Sequence, residues 1–196
     1  TNQAPRKITK GEDGESINIK LELRSLADVG LVGFPNAGKS TFLNKVSSAK
    51  PKIADYPFTT LRPHLGTIKY SDNSFVIADI PGIIEGASDG HGLGIKFLKH
   101  ISRTGILLFF LEAFSEISVQ NQFLKLKKEL GDFSEKLLEK EFYIVVTKID
   151  LIDEETRFET LNTFNSKEFA NVFGISSVTG EGVQELLDDI SRKIFI

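Results

Sequence analysis

Cysteine, methionine and tryptophan are all missing from this chain of 196 residues. Without cysteine there is no disulfide and no thiol chemistry, which excludes a disulfide-stapled scaffold and fits a reducing, cytoplasmic setting. Without methionine, and with Thr1-Asn2-Gln3 at its start, the chain is expected to be a fragment of a longer product. Long apolar runs are absent as well. The longest, Ile106 to Leu111, falls far short of the ~20 residues that cross a bilayer. No signal peptide is visible. A strong charge bias is also lacking: a formal net charge of −3 supplies no global field toward nucleic acid or anionic membrane.

What is present reads as a folded globular chain, with 40% hydrophobic and 26% charged residues. Its length suits one domain with a modest appendage. Residues 1 to about 16 are polar, with Pro5 and a Gly11-Glu12-Asp13-Gly14 turn. Ile17, Ile19, Leu21 and Leu23 then alternate with polar residues, the period of a half-exposed strand. Near Ser25 to Asp28 the pattern changes. Val29–Val32, Phe75–Ala78, Ile106–Leu111, Tyr143–Val146 and Val172–Ile175 are short, nearly unbroken apolar runs, as expected of strands covered on both faces. Helical spacing separates them: Phe123, Leu126, Leu130, Phe133 and Leu137 form one stripe, and Val183, Leu186, Leu187 and Ile190 another. Alternating strands and helices predict a doubly wound, mostly parallel α/β sheet, with ligands beyond the carboxyl ends of its strands.

One segment carries chemistry in full. Gly33-Phe34-Pro35-Asn36-Ala37-Gly38-Lys39-Ser40 matches the phosphate-loop pattern G-x-x-x-x-G-K-[ST]. It follows an apolar strand and precedes a helix predicted from Thr41 to Ser47. Gly33 and Gly38 let the backbone curl so that successive N–H groups face phosphate oxygens, and the helix N-terminus adds partial positive charge. Lys39 then neutralises the β and γ phosphates, and Ser40 ligates magnesium. A chance glycine turn would not place strand, motif and helix in register.

Phosphate loops serve ATP and GTP alike, so base choice must lie elsewhere. Thr147-Lys148-Ile149-Asp150 closes another apolar strand and fits [NT]-K-x-D. A carboxylate at Asp150 accepts two N–H groups from guanine that adenine does not offer, and Lys148 lays its stem along the base. Ser176-Ser177-Val178 follows the last strand, where backbone amides reach guanine O6. Asp79-Ile80-Pro81-Gly82 ends the Phe75 strand and fits D-x-x-G. Asp79 would hold a magnesium-bound water, and the Gly82 N–H would meet the γ-phosphate. Taken alone, T-K-x-D and D-x-x-G are common surface turns; behind a phosphate loop they become a site.

Two longer stretches resemble the Obg family of GTPases. One runs Ala49-Lys50-Pro51-Lys52-Ile53-Ala54-Asp55-Tyr56-Pro57-Phe58-Thr59-Thr60-Leu61, followed by Pro63 and Leu65-Gly66. The other runs from Asp79 through Ile83-Ile84-Glu85-Gly86-Ala87 and Gly92-Leu93-Gly94 to Phe97-Leu98-Lys99-His100-Ile101. The resemblance covers residues 15 to 196 or so. It implies that Thr60 is the second metal ligand, with Thr59 the adjacent alternative, and that Phe58 to Arg62 lie along the nucleotide. It implies that residues 1–26 are the tail of a glycine-rich N-terminal domain and its linker, and that 27–196 form the GTPase domain. It also implies a large-ribosomal-subunit partner, a role in ribosome maturation or stress response, and a monomer. Thr147 departs from the asparagine usual there and is expected to bond toward the phosphate loop less fully. Residues 112–116 lack the aspartate-rich wording common after that strand.

Catalysis would draw on Lys39, Thr60 and Gly82, with metal at Ser40, Thr60 and Asp79. What orients the water is open, because Ile83 stands where Ras-like enzymes have glutamine and cannot hydrogen-bond. Asn36 either ligates a potassium ion, as in related potassium-activated GTPases, or merely braces the loop. His91 is either a base or a solvated loop residue; His64 and His100 are expected to be structural or solvated. The chief reading is a slowly hydrolysing switch. Its rivals are a non-catalytic module locked by nucleotide, and an ATPase in which Asp150 is incidental.

Overall fold

A computed structural model describes residues 27–53, 63–79, 104–164, 169 and 171–195, with isolated positions 11, 14, 16, 17 and 19 before them. Among the described residues seven strands form one sheet: β1 (Val29–Gly33), β2 (Lys52–Ile53), β3 (His64–Tyr70), β4 (Asn73–Asp79), β5 (Ile106–Glu112), β6 (Glu141–Thr147) and β7 (Val172–Ile175). Their order is β2-β3-β4-β1-β5-β6-β7. From β4 to β7 neighbours are parallel, whereas β3 runs antiparallel to both β2 and β4. Among the described residues the helices are α1 (Lys39–Val46), α2 (Val119–Phe133), α3 (Glu154–Asn162) and α4 (Val183–Phe195).

Alternation explains why the central strands read as unbroken apolar runs. Along β5, Leu107, Phe109 and Leu111 pack with α2 on one face. Ile106, Leu108 and Phe110 pack with α1 and α4 on the other. Each strand therefore needs apolar side chains at every position. Aromatic edges fasten both layers: Phe109 meets Phe123 at 5.1 Å between ring centroids, and Phe42 meets Phe110 at 5.2 Å. The polar faces of α4 and the sheet are joined by two tyrosines. Tyr70 donates to Asp188 at 2.8 Å and Tyr143 to Asp189 at 2.9 Å. Burial first, then the Asp189 bond, pushes the Tyr143 hydroxyl pKa up.

The predicted parallel strands all form. The predicted first helix starts two residues early, at Lys39, and ends at Val46. The α2 stripe breaks sooner than its spacing suggested: Ser134 is extended, and a 3₁₀ turn over Glu135–Leu137 carries Leu137 back into the same core. β3 was not anticipated, because its exposed face places threonine and lysine between the inward residues. α3 escaped notice too, since it buries no side chain completely. The half-exposed strand expected over residues 17–23 lies mostly outside the described residues; Ile17 and Ile19 are exposed and in no regular element. Among the described residues no helix is long and apolar enough to cross a membrane.

Candidate nucleotide-binding site

The site begins where β1, buried throughout, runs out at Gly33. A Cβ on Gly33 would come within 2.7 Å of the Phe110 carbonyl oxygen on neighbouring β5, so no larger residue fits. Asn36 and Gly38 both take positive φ, 64° and 91°, and this curls the loop before α1. The first turn of α1 holds no acidic residue, leaving its N-terminal dipole uncompensated. Lys39 folds back over the loop and donates to the Gly33 and Phe34 carbonyls, both at 2.8 Å. Burial lowers the Lys39 pKa, and Asp79 partly restores it. An anion seated in the loop would favour the charged amine further.

Asp79 ends β4 directly beside β1, paired in register with Leu31. Only 2% of it is exposed, and its Oδ2 accepts from Ser40 Oγ at 2.5 Å. Its Oδ1 is buried with no hydrogen-bond partner among the described residues. A carboxylate so placed calls for a further positive or donating group.

The opposite end of the site is tied to the same loop. Thr147, buried at the end of β6, donates Oγ1–H toward the Ala37 carbonyl at 2.9 Å, with the Leu111 carbonyl at 3.3 Å. The threonine thus reaches the phosphate loop directly, with one donor. Lys148 takes a left-handed backbone, φ 59°, and its ammonium pairs with Glu112 at the end of β5. Asp150 is exposed in a 3₁₀ turn over Ile149–Leu151. Ser176 is fully buried and closes its own loop: its N–H donates to Glu181 O, its carbonyl accepts from Gly180 N–H, and its Oγ accepts from Thr179 N–H. Of the three residues predicted there, Ser176 has its amide taken, Ser177 is half-buried and Val178 is exposed.

Strand register brings these pieces to one rim. Gly33 lies opposite Phe110, Glu112 opposite Thr147, and Thr147 opposite Ile175. The loops after β1, β4, β5, β6 and β7 therefore leave from the same edge of the sheet. Phe58, Thr59, Thr60, Leu61, Arg62, Ile80, Pro81, Gly82, Ile83, His91 and His100 lie outside the described residues. His64 opens β3, half-buried, and lines a cavity with Ser40.

Two residues of this rim were not foreseen. Glu112 holds Lys148, and buried Gln122 holds Glu112: its Oε1 accepts from the Glu112 N–H at 2.9 Å while its Nε2 donates to Glu112 O and Ile117 O. The available signal was a glutamine on the otherwise apolar inward face of an amphipathic helix.

A glycine-bounded loop between a central parallel strand and a helix, with lysine, serine and a strand-end aspartate converging on it, defines the P-loop nucleotide-binding class. Residues 28–148 match the family described as 50S ribosome-binding GTPase. The chain belongs to that family, and within it to the Obg group. It is 49% identical over 195 residues to GTPase Obg of Pelodictyon phaeoclathratiforme and 53% identical over 195 residues to GTPase Obg of Chloroherpeton thalassium. Both alignments cover 99% of this chain but 56% and 57% of those proteins, so the chain spans little more than half their length. In fold it resembles an Aquifex aeolicus Era variant solved with GDP·AlF4⁻ (TM-score 0.63, 22% identity, 85% of this chain and 56% of that one). It also resembles the G domain of the T. maritima FeoB iron transporter (TM-score 0.56, 23% identity, 84% and 96%).

Proposed function

We propose that this domain binds guanine nucleotide with magnesium and hydrolyses GTP slowly, as a switch read by the large ribosomal subunit. The observation that carries the reading is the convergence of Lys39, Ser40 and Asp79 on one phosphate-loop mouth. Within it, the amides of the loop and the Lys39 ammonium bind the phosphates, trading the Gly33 and Phe34 carbonyls for phosphate oxygens. Asp150 and Lys148 take the base, while Thr147 ties the end of β6 to the loop and Glu112 pairs with Lys148. Asp79, whose Oδ1 has no partner among the described residues, and Ser40 would hold a hydrated divalent ion. Bound there, magnesium neutralises the charge that gathers on the β and γ phosphate oxygens. Thr60 is the group the family resemblance assigns to the metal, and Gly82 the one the D-x-x-G motif assigns to the γ-phosphate.

With Ile83 in place of a glutamine, intrinsic turnover is expected on the order of 10⁻⁴–10⁻³ s⁻¹. Asn36, exposed and held at positive φ on the loop, is the group that would take a potassium ion to assist. The reading extends to a monomeric, cytoplasmic protein, and to ribosome maturation or stress response as its setting.

Asp150→Asn tests the base assignment. GTP affinity should fall by about 2–4 kcal/mol, as for a lost charge-assisted pair, while xanthosine nucleotides gain. Unchanged GTP affinity, or ATP competing as well as GTP, would remove Asp150 from the site. Nucleotide-dependent co-sedimentation with ribosomal subunits tests the partner.

A further inference from the structure

The Ser40–Asp79 contact has a third neighbour that the phosphate-loop motifs do not include. β3 runs antiparallel to β4 with His64 directly opposite Asp79. Opposed residues project to the same face of a sheet, their Cβ atoms about 4.5–5.5 Å apart. Two observations show that this face looks toward α1. Asp79 reaches Ser40 at the start of α1. Gly66, two residues along β3 from His64, lies so close beneath α1 that a Cβ there would come within 2.6 Å of Leu43 Cδ1 and 2.8 Å of Ser47 Oγ. Stepping back along β3 from Gly66 leads to the first turn of α1. There His64 and Ser40 line one cavity of about 250 Å³ together with Leu43, Asn44 and Pro51.

Among the described residues the imidazole has no hydrogen-bond partner, and Oδ1 of Asp79, the residue opposite it in register, has none either. A cavity with an unengaged imidazole and a hydroxyl that is itself bonded to a buried carboxylate offers the donors of a borderline-metal site. Every other group expected on the ion is an oxygen, and all-oxygen sets suit magnesium. Imidazole nitrogen suits the softer first-row ions, which it binds more strongly than magnesium. We infer that His64 adds a nitrogen donor to the divalent-cation site beside Ser40 and Asp79, so that this chain discriminates in favour of Mn²⁺ and Co²⁺ relative to an all-oxygen site. His64 is then a specificity-determining residue for the cation, not a structural or solvated one. The inference rests on the nucleotide reading proposed above.

The test uses the full chain with GDP and Mn²⁺ as the probe. Electron spin-echo spectra of the wild-type complex should show ¹⁴N modulation from a ligated imidazole alongside ³¹P coupling from the nucleotide. His64→Asn should lose the ¹⁴N signal and keep the ³¹P signal. A fluorescent GDP analogue titrated with each metal should show the Mn²⁺-to-Mg²⁺ affinity ratio falling roughly tenfold in that variant, the scale on which donors around a metal tune affinity. A residue that only packs would weaken both metals alike. Wild-type spectra with ³¹P but no ¹⁴N coupling, or an affinity ratio unchanged by the substitution, overturn the role of His64 and leave the nucleotide reading standing. Nucleotide binding indifferent to every divalent ion overturns both. The wild-type spectrum decides the matter even if the variant does not fold.

Discussion

Replacing Thr147 by valine deletes one hydroxyl and keeps the branched shape of a buried side chain, 2% exposed at the end of β6. That hydroxyl is what joins the end of β6 to the phosphate loop, donating toward Ala37 O at 2.9 Å with Leu111 O at 3.3 Å. A net hydrogen bond is worth about 0.5–1.5 kcal/mol, and leaving a buried acceptor without its donor costs about 1–3 kcal/mol. The substitution should therefore destabilise the nucleotide-free domain by about 2 kcal/mol, a fall in Tm of roughly 4–8 °C for a chain of this size. Nucleotide must then reorder the loosened loop at its own expense, so GDP affinity should fall by up to about 30-fold, at 1.4 kcal/mol per tenfold. Urea denaturation and GDP calorimetry read the two effects separately. Thr147→Ser keeps the donor and should recover most of the affinity while remaining somewhat less stable. A valine variant with the wild-type midpoint and wild-type affinity would refute the argument that this hydroxyl couples the two halves of the site.

Gly182→Ala should destabilise by at least about 2 kcal/mol, because φ is +69° and the new Cβ would lie 2.0 Å from the Gly174 carbonyl oxygen. Gly180→Ala, at φ +93° but with only ordinary contact to the Lys45 side chain at 3.8 Å, should cost only the left-handed strain of about 1 kcal/mol; equal urea midpoints for the two would contradict the packing account. Asp153 caps α3, and the Thr156 N–H bond first, then the Thr156 hydroxyl, hold its carboxyl pKa below the usual value. A depressed folded-state pKa contributes stability above the ordinary aspartate range and loses it as pH falls through the folded value. Asp153→Ala should therefore be less stable than wild type at pH 7, with the difference vanishing in strong acid; a constant difference across that range would exclude the capping charge.

Sequence pattern revealed what is periodic or local. The five parallel strands were legible because both faces are covered, and the phosphate loop because its glycines, lysine and serine act within eight residues. β3 and α3 were not, since each buries too little to impress a period on its side chains. The Glu112–Lys148 pair joins residues 36 positions apart, and Gln122 acts on the backbone of Glu112; neither contact leaves a local signature. His64 reads as a structural or solvated histidine until register sets it opposite Asp79. Thr147 was placed correctly at the strand end, but only the fold shows which carbonyl its single donor reaches.

Among the described residues β2 pairs through two positions, Lys52 with Leu65 and Ile53 with His64, at the edge of the sheet. Edge strands this short resist pairing with other chains, and the exposed lysine on this one adds to that protection. The same brevity sets a mechanical limit. Detaching β2 breaks two register pairs and leaves the seven-residue β3–β4 pairing whole, so the sheet acts as a fixed frame with one loosely fastened margin.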